Sequence, residues 1–375
     1  MILPKNTAIK LIDVSFTAHP GINTPGQIIL AHRECLGYAH FLSKLFDFII
    51  IEHINYEGKE TRNNIRYSFF KSRNKFLHIP LKTLSYIRKE QPDIVIVQGT
   101  VFPLQVILLR MLLGRKPQII VQHHGNMPFK GIKKIFQQVA DKCTNAYLFT
   151  ALGNVKIWID NNIIKNKEKC YEVLEGSTYL AKQNKQESRA ILQMRNGDIF
   201  LWVGRLDTEK GPVTVLKGFE KYLHNDPGAK LYMIYQAEHL LPEVKTIING
   251  SSLLKNAVTL VGKIPHEQLE NWYSAADFYV SGSHREAAGF GLIESMACGC
   301  IPVVTDIPPF RKITGSYGFL FEKDNPDSLY SMLLQASKVQ KYELSNSIVD
   351  YFQRELTFKD IADRILAIIT AISAK

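Results

Sequence analysis

The chain has 375 residues, of which 46% are hydrophobic and 22% charged, and carries a formal net charge of +11. That length suits two domains of ordinary size, and the balance is that of a globular chain, which excludes disordered and collagen-like classes. Its five cysteines (Cys35, Cys143, Cys170, Cys298, Cys300) are odd in number and lack metal-type pairing, so they read as reduced thiols rather than a disulfide framework.

The start lacks a long apolar core, and Lys10 falls inside the first apolar run. No signal peptide is therefore expected, and a cytoplasmic chain is. Ala8 to Val14 reads as the first strand, followed by a loop from Ser15 to Gly26. A helical run from Gln27 to Lys44 and a second strand from Phe46 to Ile51 complete a β–loop–α–β opening. Such an opening suits a doubly wound sheet, whose ligand loops lie at the carboxyl ends of strands.

Arg66 to Phe76 interleaves Arg66, Lys71, Arg73 and Lys75 with Tyr67, Phe69, Phe70 and Phe76. Two readings stand: insertion at an anionic lipid surface, or a strand and loop with the aromatics in the core. Charge favours an anionic partner somewhere in this half. Met1 to Thr178 holds 24 Lys plus Arg against 13 Asp plus Glu, and the remaining residues hold 22 of each. The partner could be a membrane surface, an acidic acceptor or nucleic acid.

Asp93 to Val97 is a strand, and Val101 to Leu113 is a core helix, well short of the ~20 residues that span a bilayer. Gln118 to Gln122 forms another strand, running into His123-His124-Gly125. A histidine at a strand's carboxyl end beside glycine sits where α/β sheets place functional groups. A helix over Ile132 to Lys142 and strands at Ala146 to Thr150 and Tyr171 to Leu174 finish the half. The polar stretch Lys182 to Ser188 reads as a linker.

The second half restarts with a strand over Ile199 to Val203, then Gly204-Arg205 and, after a short loop, Lys210-Gly211-Pro212. Arg205 is a rigid fork and Lys210 a flexible point charge, a pair suited to a diphosphate. Strands at Lys230 to Tyr235 and Ala257 to Val261, a helix over His266 to Ala276 and a strand over Asp277 to Val280 lead to the most informative stretch, Ser281 to Val304. There a loop broken by Gly289 and Gly291 feeds a short helix. Backbone N–H groups and the helix dipole make such a turn an anion site. Glu286 and Glu294 frame it. Carboxylates beside a phosphate site accept hydrogen bonds from hydroxyls, so the pattern suggests a nucleotide sugar. Helices at Pro326 to Gln335 and an amphipathic one built on Phe358, Ile361, Ile365 and Ile369 close the chain.

Glu286 and Glu294 with Gly289 between, followed by Ser295-Met296-Ala297-Cys298-Gly299, resemble the donor site of retaining glycosyltransferases of family 4, group 1. Val203-Gly204-Arg205-Leu206, Lys210-Gly211, Val261-Gly262-Lys263 and Gly318-Phe319-Leu320-Phe321 extend the resemblance over about Ile199 to Leu329. It implies the GT-B fold: two Rossmann-like domains facing a central cleft, residues 1–178 for the acceptor and 179–355 for the nucleotide-sugar donor. The terminal helix, residues 356–375, would cross back to the first domain. It further implies that Arg205 and Lys210 neutralise the leaving diphosphate, helped by Gly204 and by backbone around Gly289, Phe290, Gly291 and Leu292. Glu294 would hold the ribose, Glu286 the donor sugar, and Gly262, Lys263 and Ile264 the nucleobase. His124, or His123, would approach the donor sugar. No metal and no further cofactor are implied, and attack would be front-face, without a covalent intermediate. Gly282, and Ala287-Ala288, depart from the family's common pattern, which leaves the donor sugar open.

The expected activity is transfer from a nucleoside diphosphate-sugar to a lipid-linked or saccharide hydroxyl, in cell-surface polysaccharide or glycolipid synthesis on the inner face of the membrane. A GT-B nucleotide-sugar epimerase would share the site but need no second substrate. A nucleic-acid binder would explain the basic half but leave the second half's constellation without a purpose.

Overall fold

The computed structural model describes residues 9–71, 79–194 and 197–374. The chain divides into two compact units, Met1–Ser177 with Phe358–Lys375, and Thr178–Thr357. Each is an α/β unit built on one sheet.

Unit one carries β1 (Lys10–His19), β2 (Asp47–Ile54), β3 (Gly58–Arg62), β4 (Ile65–Phe70), β5 (Ile94–Gln98), β6 (Gln118–Gln122), β7 (Ala146–Phe149) and β8 (Cys170–Glu172). The sheet order is β3-β4-β2-β1-β5-β6-β7-β8. Pairing is parallel except between β3 and β4. Ile94, Val95, Ile96 and Val97 are all buried, as a parallel strand covered on both faces requires. From β1 the chain builds outward to β2, then crosses to β5 on the other side. The carboxyl ends of β1 and β5 therefore flank a topological switch point, the place where open α/β sheets form ligand crevices.

Two expectations for this unit need correction. β1 does not stop at Val14: it runs to His19, with a register irregularity against β2 between Val14 and Ala18. The run Gln27 to Lys44 is not one helix but three pieces, Pro25–Ala31, Arg33–Leu36 and Ala39–Leu42. The breaks accompany side chains that turn to buried carboxylates: His32 meets Glu52 at 2.8 Å, and the Tyr38 hydroxyl donates to Asp13. In the basic-aromatic stretch, Tyr67 and Phe69 are core residues of β4, and Arg66 forks onto Asp47 (2.7 Å) and Glu90 (3.2 Å). Lys71 is exposed, and Arg73, Lys75 and Phe76 lie outside the described residues. The helix Phe358–Ser373 belongs to this unit and buries Phe358, Ile361, Ile365 and Ile369.

Unit two carries β9 (Ile199–Gly204), β10 (Lys230–Tyr235), β11 (Val258–Gly262), β12 (Phe278–Ser281), β13 (Ile301–Thr305) and β14 (Phe319–Phe321), in the order β11-β10-β9-β12-β13-β14 and parallel throughout. Its core is aromatic. Phe200 of β9 stacks on Phe278 of β12 at 4.7 Å, and Phe219 and Tyr222 from the helix Pro212–Tyr222 meet Phe200 edge-on at 5.3 Å. Such pairs add ~1 kcal/mol each beyond their buried area.

The polar stretch Lys182 to Ser188 is not a linker. Asn184 caps a helix, Lys185–Ile191, and Lys185 and Arg189 bond the buried Asp277 at 2.8 and 2.7 Å. Burial would raise the Asp277 pKa; Lys185, the Ile199 amide and Arg189 outweigh it and hold the carboxyl below its usual range. A charge so buried and so paired is costly to leave alone, which pins the helix to the sheet. Among the described residues, no helix is long and apolar enough to cross a membrane.

Candidate functional site

In unit two the switch point lies between β9 and β12, and the loops leaving these strands carry most of the expected donor-site residues. Asp207 shapes the first loop: its side chain accepts from the Lys210 amide at 3.1 Å and from Arg205 Nε at 2.7 Å. The turn ends at Gly211, with φ at +55°, where the helix Pro212–Tyr222 begins. A Cβ on Gly211 would sit 2.2 Å from the Gly282 carbonyl oxygen, and one on Gly282 would sit 2.6 Å from the Gly211 oxygen. The two loops therefore touch backbone to backbone. His284 N–H donates to the Glu209 carbonyl at 2.8 Å and Arg285 Nε to the Glu209 carboxylate at 2.8 Å. This zipper brings Lys210 Nζ onto Glu286 Oε1. Gly282 is thus a packing position.

The helix Phe290–Ala297 starts at Gly289, whose φ of +69° and closeness to Ile313 (2.7 Å from a Cβ) exclude a side chain. The amides of Leu292 and Ile293 already donate to the Gly289 carbonyl at 3.0 Å. Leu292 is therefore withdrawn from the expected anion-binding backbone, leaving Phe290 and Gly291 as the helix's first two amides. Glu294 is buried, with Oε1 2.8 Å from His266 Nε2 and Oε2 accepting from the Tyr273 hydroxyl at 3.0 Å. Burial and the Glu294 charge push the Tyr273 pKa well above its usual range, so that hydroxyl remains a donor. Sequence reading placed His266 and Tyr273 on a helix without a role. Their contact joins residues 21 and 28 positions apart, which no local spacing reveals. Gly204 closes β9 beside Lys210; Gly262, with φ at +82°, closes β11, followed by exposed Lys263 and half-buried Ile264.

In unit one the two histidines separate cleanly. His123 is core: it stacks on Phe149 at 4.7 Å, its Nε2 lies 3.0 Å from the Asn126 carbonyl, and its Nδ1 accepts from Gly125 N–H at 3.3 Å. Burial holds its pKa below 6.5. His124 instead lines a cavity of about 230 Å³ at the switch point, with Ser15, His19, His32, Glu52 and Gln98 among its walls. Gln98 Nε2 donates to both Asp13 oxygens, at 2.9 and 2.8 Å, and turns its Oε1 to His124 Nε2 at 2.8 Å. Glu175 takes Nδ1. Both ring nitrogens face acceptors, an arrangement that an imidazolium satisfies. Burial pushes the pKa of Asp13, behind this chain, up to about 6. Asp13, Gln98 and Glu175 were missed: Gln98 closes β5 and Glu175 follows β8, while Asp13 is a lone carboxylate inside the apolar run of β1.

Burial alone would lower the His124 pKa, but the Glu175 charge and hydrogen bond, with Asp13, outweigh it and raise the pKa above 6.5. Stability from a raised pKa is complete below the unfolded value and lost as pH rises through the folded one. Unfolding free energy should therefore decline as pH climbs above 6.5, and His124→Gln should flatten that decline. Denaturant titrations across this window check it; equal slopes in parent and variant would remove the imidazolium.

Residues 184–353, in the C-terminal unit, match the family model described as glycosyl transferases group 1. The whole chain has the GT-B fold class. It is similar to the crystal structure of a glycosyltransferase from Rickettsia africae, with a TM-score of 0.75 at 16% identity, over 98% of this chain and 99% of that one. It is also similar to Anabaena HepE in complex with UDP, with a TM-score of 0.74 at 14% identity, over 97% and 100% of the two chains. At these identities the likeness is one of fold. Among curated relatives, mannosylfructose-phosphate synthase of Agrobacterium fabrum is 30% identical over 46% of this chain and 40% of its own length. An N-acetylgalactosamine-N,N'-diacetylbacillosaminyl-diphospho-undecaprenol 4-alpha-N-acetylgalactosaminyltransferase of Campylobacter jejuni is 25% identical over 71% and 74%. The chain spans less than two thirds of the length of the first curated relatives it matches. Among the described residues, no group of three or more His, Cys, Asp or Glu is placed to hold a metal ion.

Proposed function

We propose that the chain is a retaining glycosyltransferase, moving a sugar from a nucleoside diphosphate-sugar to an acceptor hydroxyl in polysaccharide or glycolipid synthesis. The observation that carries this reading is the Lys210–Glu286 contact at the carboxyl ends of β9 and β12, beside the first turn of the helix Phe290–Ala297. A cation, a carboxylate and helix amides meet where a diphosphate and sugar hydroxyls would need them.

In this reading Lys210 and Arg205 offset the charge that develops on the departing diphosphate, a task that needs no metal ion. The amides of Phe290 and Gly291 assist. Glu286 accepts hydrogen bonds from the donor sugar, and Glu294, oriented by His266 and Tyr273, from the ribose. Gly262, Lys263 and Ile264 take the base. Glu286 is engaged as a hydrogen-bond acceptor and so is a poor nucleophile, so retention in this reading proceeds by front-face attack without a covalent intermediate.

The cavity around His124 suits the acceptor. Glu52 Oε2 and Asn126 Oδ1 are buried there with no hydrogen-bond partner among the described residues, and both are acceptors that hydroxyls would satisfy. A lipid-linked saccharide is the acceptor class favoured by the Campylobacter jejuni relative, whose name carries a diphospho-undecaprenol. A panel of nucleotide sugars, with and without a polyprenyl-diphosphate saccharide, tests the proposal by release of nucleoside diphosphate. One donor should be consumed only when acceptor is present, and added chelator should leave the rate unchanged. Consumption without acceptor, with isomerised sugar as product, would replace transfer by epimerisation.

A further inference from the structure

The helix Ile132–Cys143 is folded with its polar side inward. Gln137 and Asp141 are each 3% exposed, while Ile132, Ile135 and Val139 are 72%, 56% and 40% exposed. The interior is arranged for this. Gln137 donates to the Thr100 carbonyl at 3.2 Å and accepts from the Phe129 amide at 2.9 Å, and Asp141 accepts from the Lys165 amide at 3.4 Å. Ile132, Ile135 and Val139 stand at i, i+3 and i+7, so they form one stripe along the helix. Lys130, Lys133 and Lys134 cluster at its beginning.

We infer that this helix lies on an anionic lipid bilayer, with the aliphatic stripe in the acyl boundary and the lysines at the headgroups. The inference goes beyond the transferase reading and does not use its chemistry. It also moves the lipid contact from Arg66–Phe76, where charge and aromatics first suggested it, to a helix whose apolar side chains reach solvent. Charge selects the occupant. A second copy packed antiparallel on the same stripe by two-fold symmetry would set these lysines beside its exposed Lys142, with the nearby Asp141 buried. Nucleic acid would match the lysines but has no use for branched aliphatics, and the stripe offers no ring for base stacking.

The test is co-sedimentation of the full chain with phosphatidylcholine vesicles, alone and with a phosphatidylglycerol fraction. The parent should bind the anionic vesicles, weakly the neutral ones, and less as salt rises. Changing Ile132, Ile135 and Val139 together to Ser should weaken binding at least a hundredfold, from the loss of three inserted side chains. Changing Lys130, Lys133 and Lys134 to Ser should cost about fivefold each. Neither set replaces a buried side chain, so melting temperatures should hold. No binding by the parent, or binding unchanged in the Ser variants, would overturn the inference. So would a dimer that only the aliphatic changes dissociate, or duplex DNA bound in preference to vesicles. Nucleoside diphosphate binding, measured on the same samples, tests the transferase reading separately: vesicle binding without it would sink that reading and keep this one.

Discussion

Lys210→Ala should lower turnover by ~10²–10³-fold, the loss typical of removing one group that stabilises developing charge. The structure says why this residue and not a neighbour. Its backbone is fixed by Asp207, its loop is fastened to the loop after β12, and its side chain is held on Glu286. An ammonium preorganised in this way costs little to bring to a transition state, so the loss should fall on kcat more than on KM. Arg205, with a side chain 60% exposed and bonded to Asp207, is less constrained and should matter less. Steady-state kinetics with the donor found by the panel decide the matter. A Lys210→Ala protein within a few fold of the parent would dismiss the diphosphate role.

Gly211→Ala should be the most damaging single-methyl change in unit two. The new Cβ would meet the Gly282 carbonyl oxygen at 2.2 Å, a backbone atom that has no side-chain freedom with which to yield. The φ of +55° adds left-handed strain for any residue with a Cβ. Together these cost roughly 2–5 kcal/mol, or roughly 5–15 °C in melting temperature for a unit of this size. The change would also part the two loops and move Lys210 from Glu286, so activity should fall even below the new melting point. A variant that melts like the parent would mean that the loops do not touch as described.

What the sequence disclosed and what it withheld follow from the range of each interaction. Strands covered on both faces are short apolar runs, and Ile94–Gln98, Gln118–Gln122 and Ile199–Gly204 were legible for that reason. The glycine turn before Phe290 and the carboxylates flanking it lie close in sequence, so their chemistry could be read locally. The helices Leu81–Glu90 and Lys341–Glu355 were missed, because charged residues interrupt their apolar positions. The breaks of the run Gln27 to Lys44, at His32 and at Tyr38, accompany contacts with Glu52 and Asp13, which lie on strands remote in sequence. The contact of Lys210 with Glu286 spans 76 positions, and only the switch in strand order brings it about. Arg66 taught the converse: a cation among aromatics on the page is, in the fold, a strand residue forked between two carboxylates.

The helix Phe358–Ser373 has one more implication. Unit one is left at Ser177 and re-entered at Phe358, with all of unit two between. During synthesis, then, the second unit emerges from the ribosome whole and can close its core at once. The first must wait, its seat for Phe358, Ile361, Ile365 and Ile369 open to water, until roughly 180 further residues have been translated. The half made first is the half finished last, and for that interval it is the part of the nascent chain most in need of a chaperone.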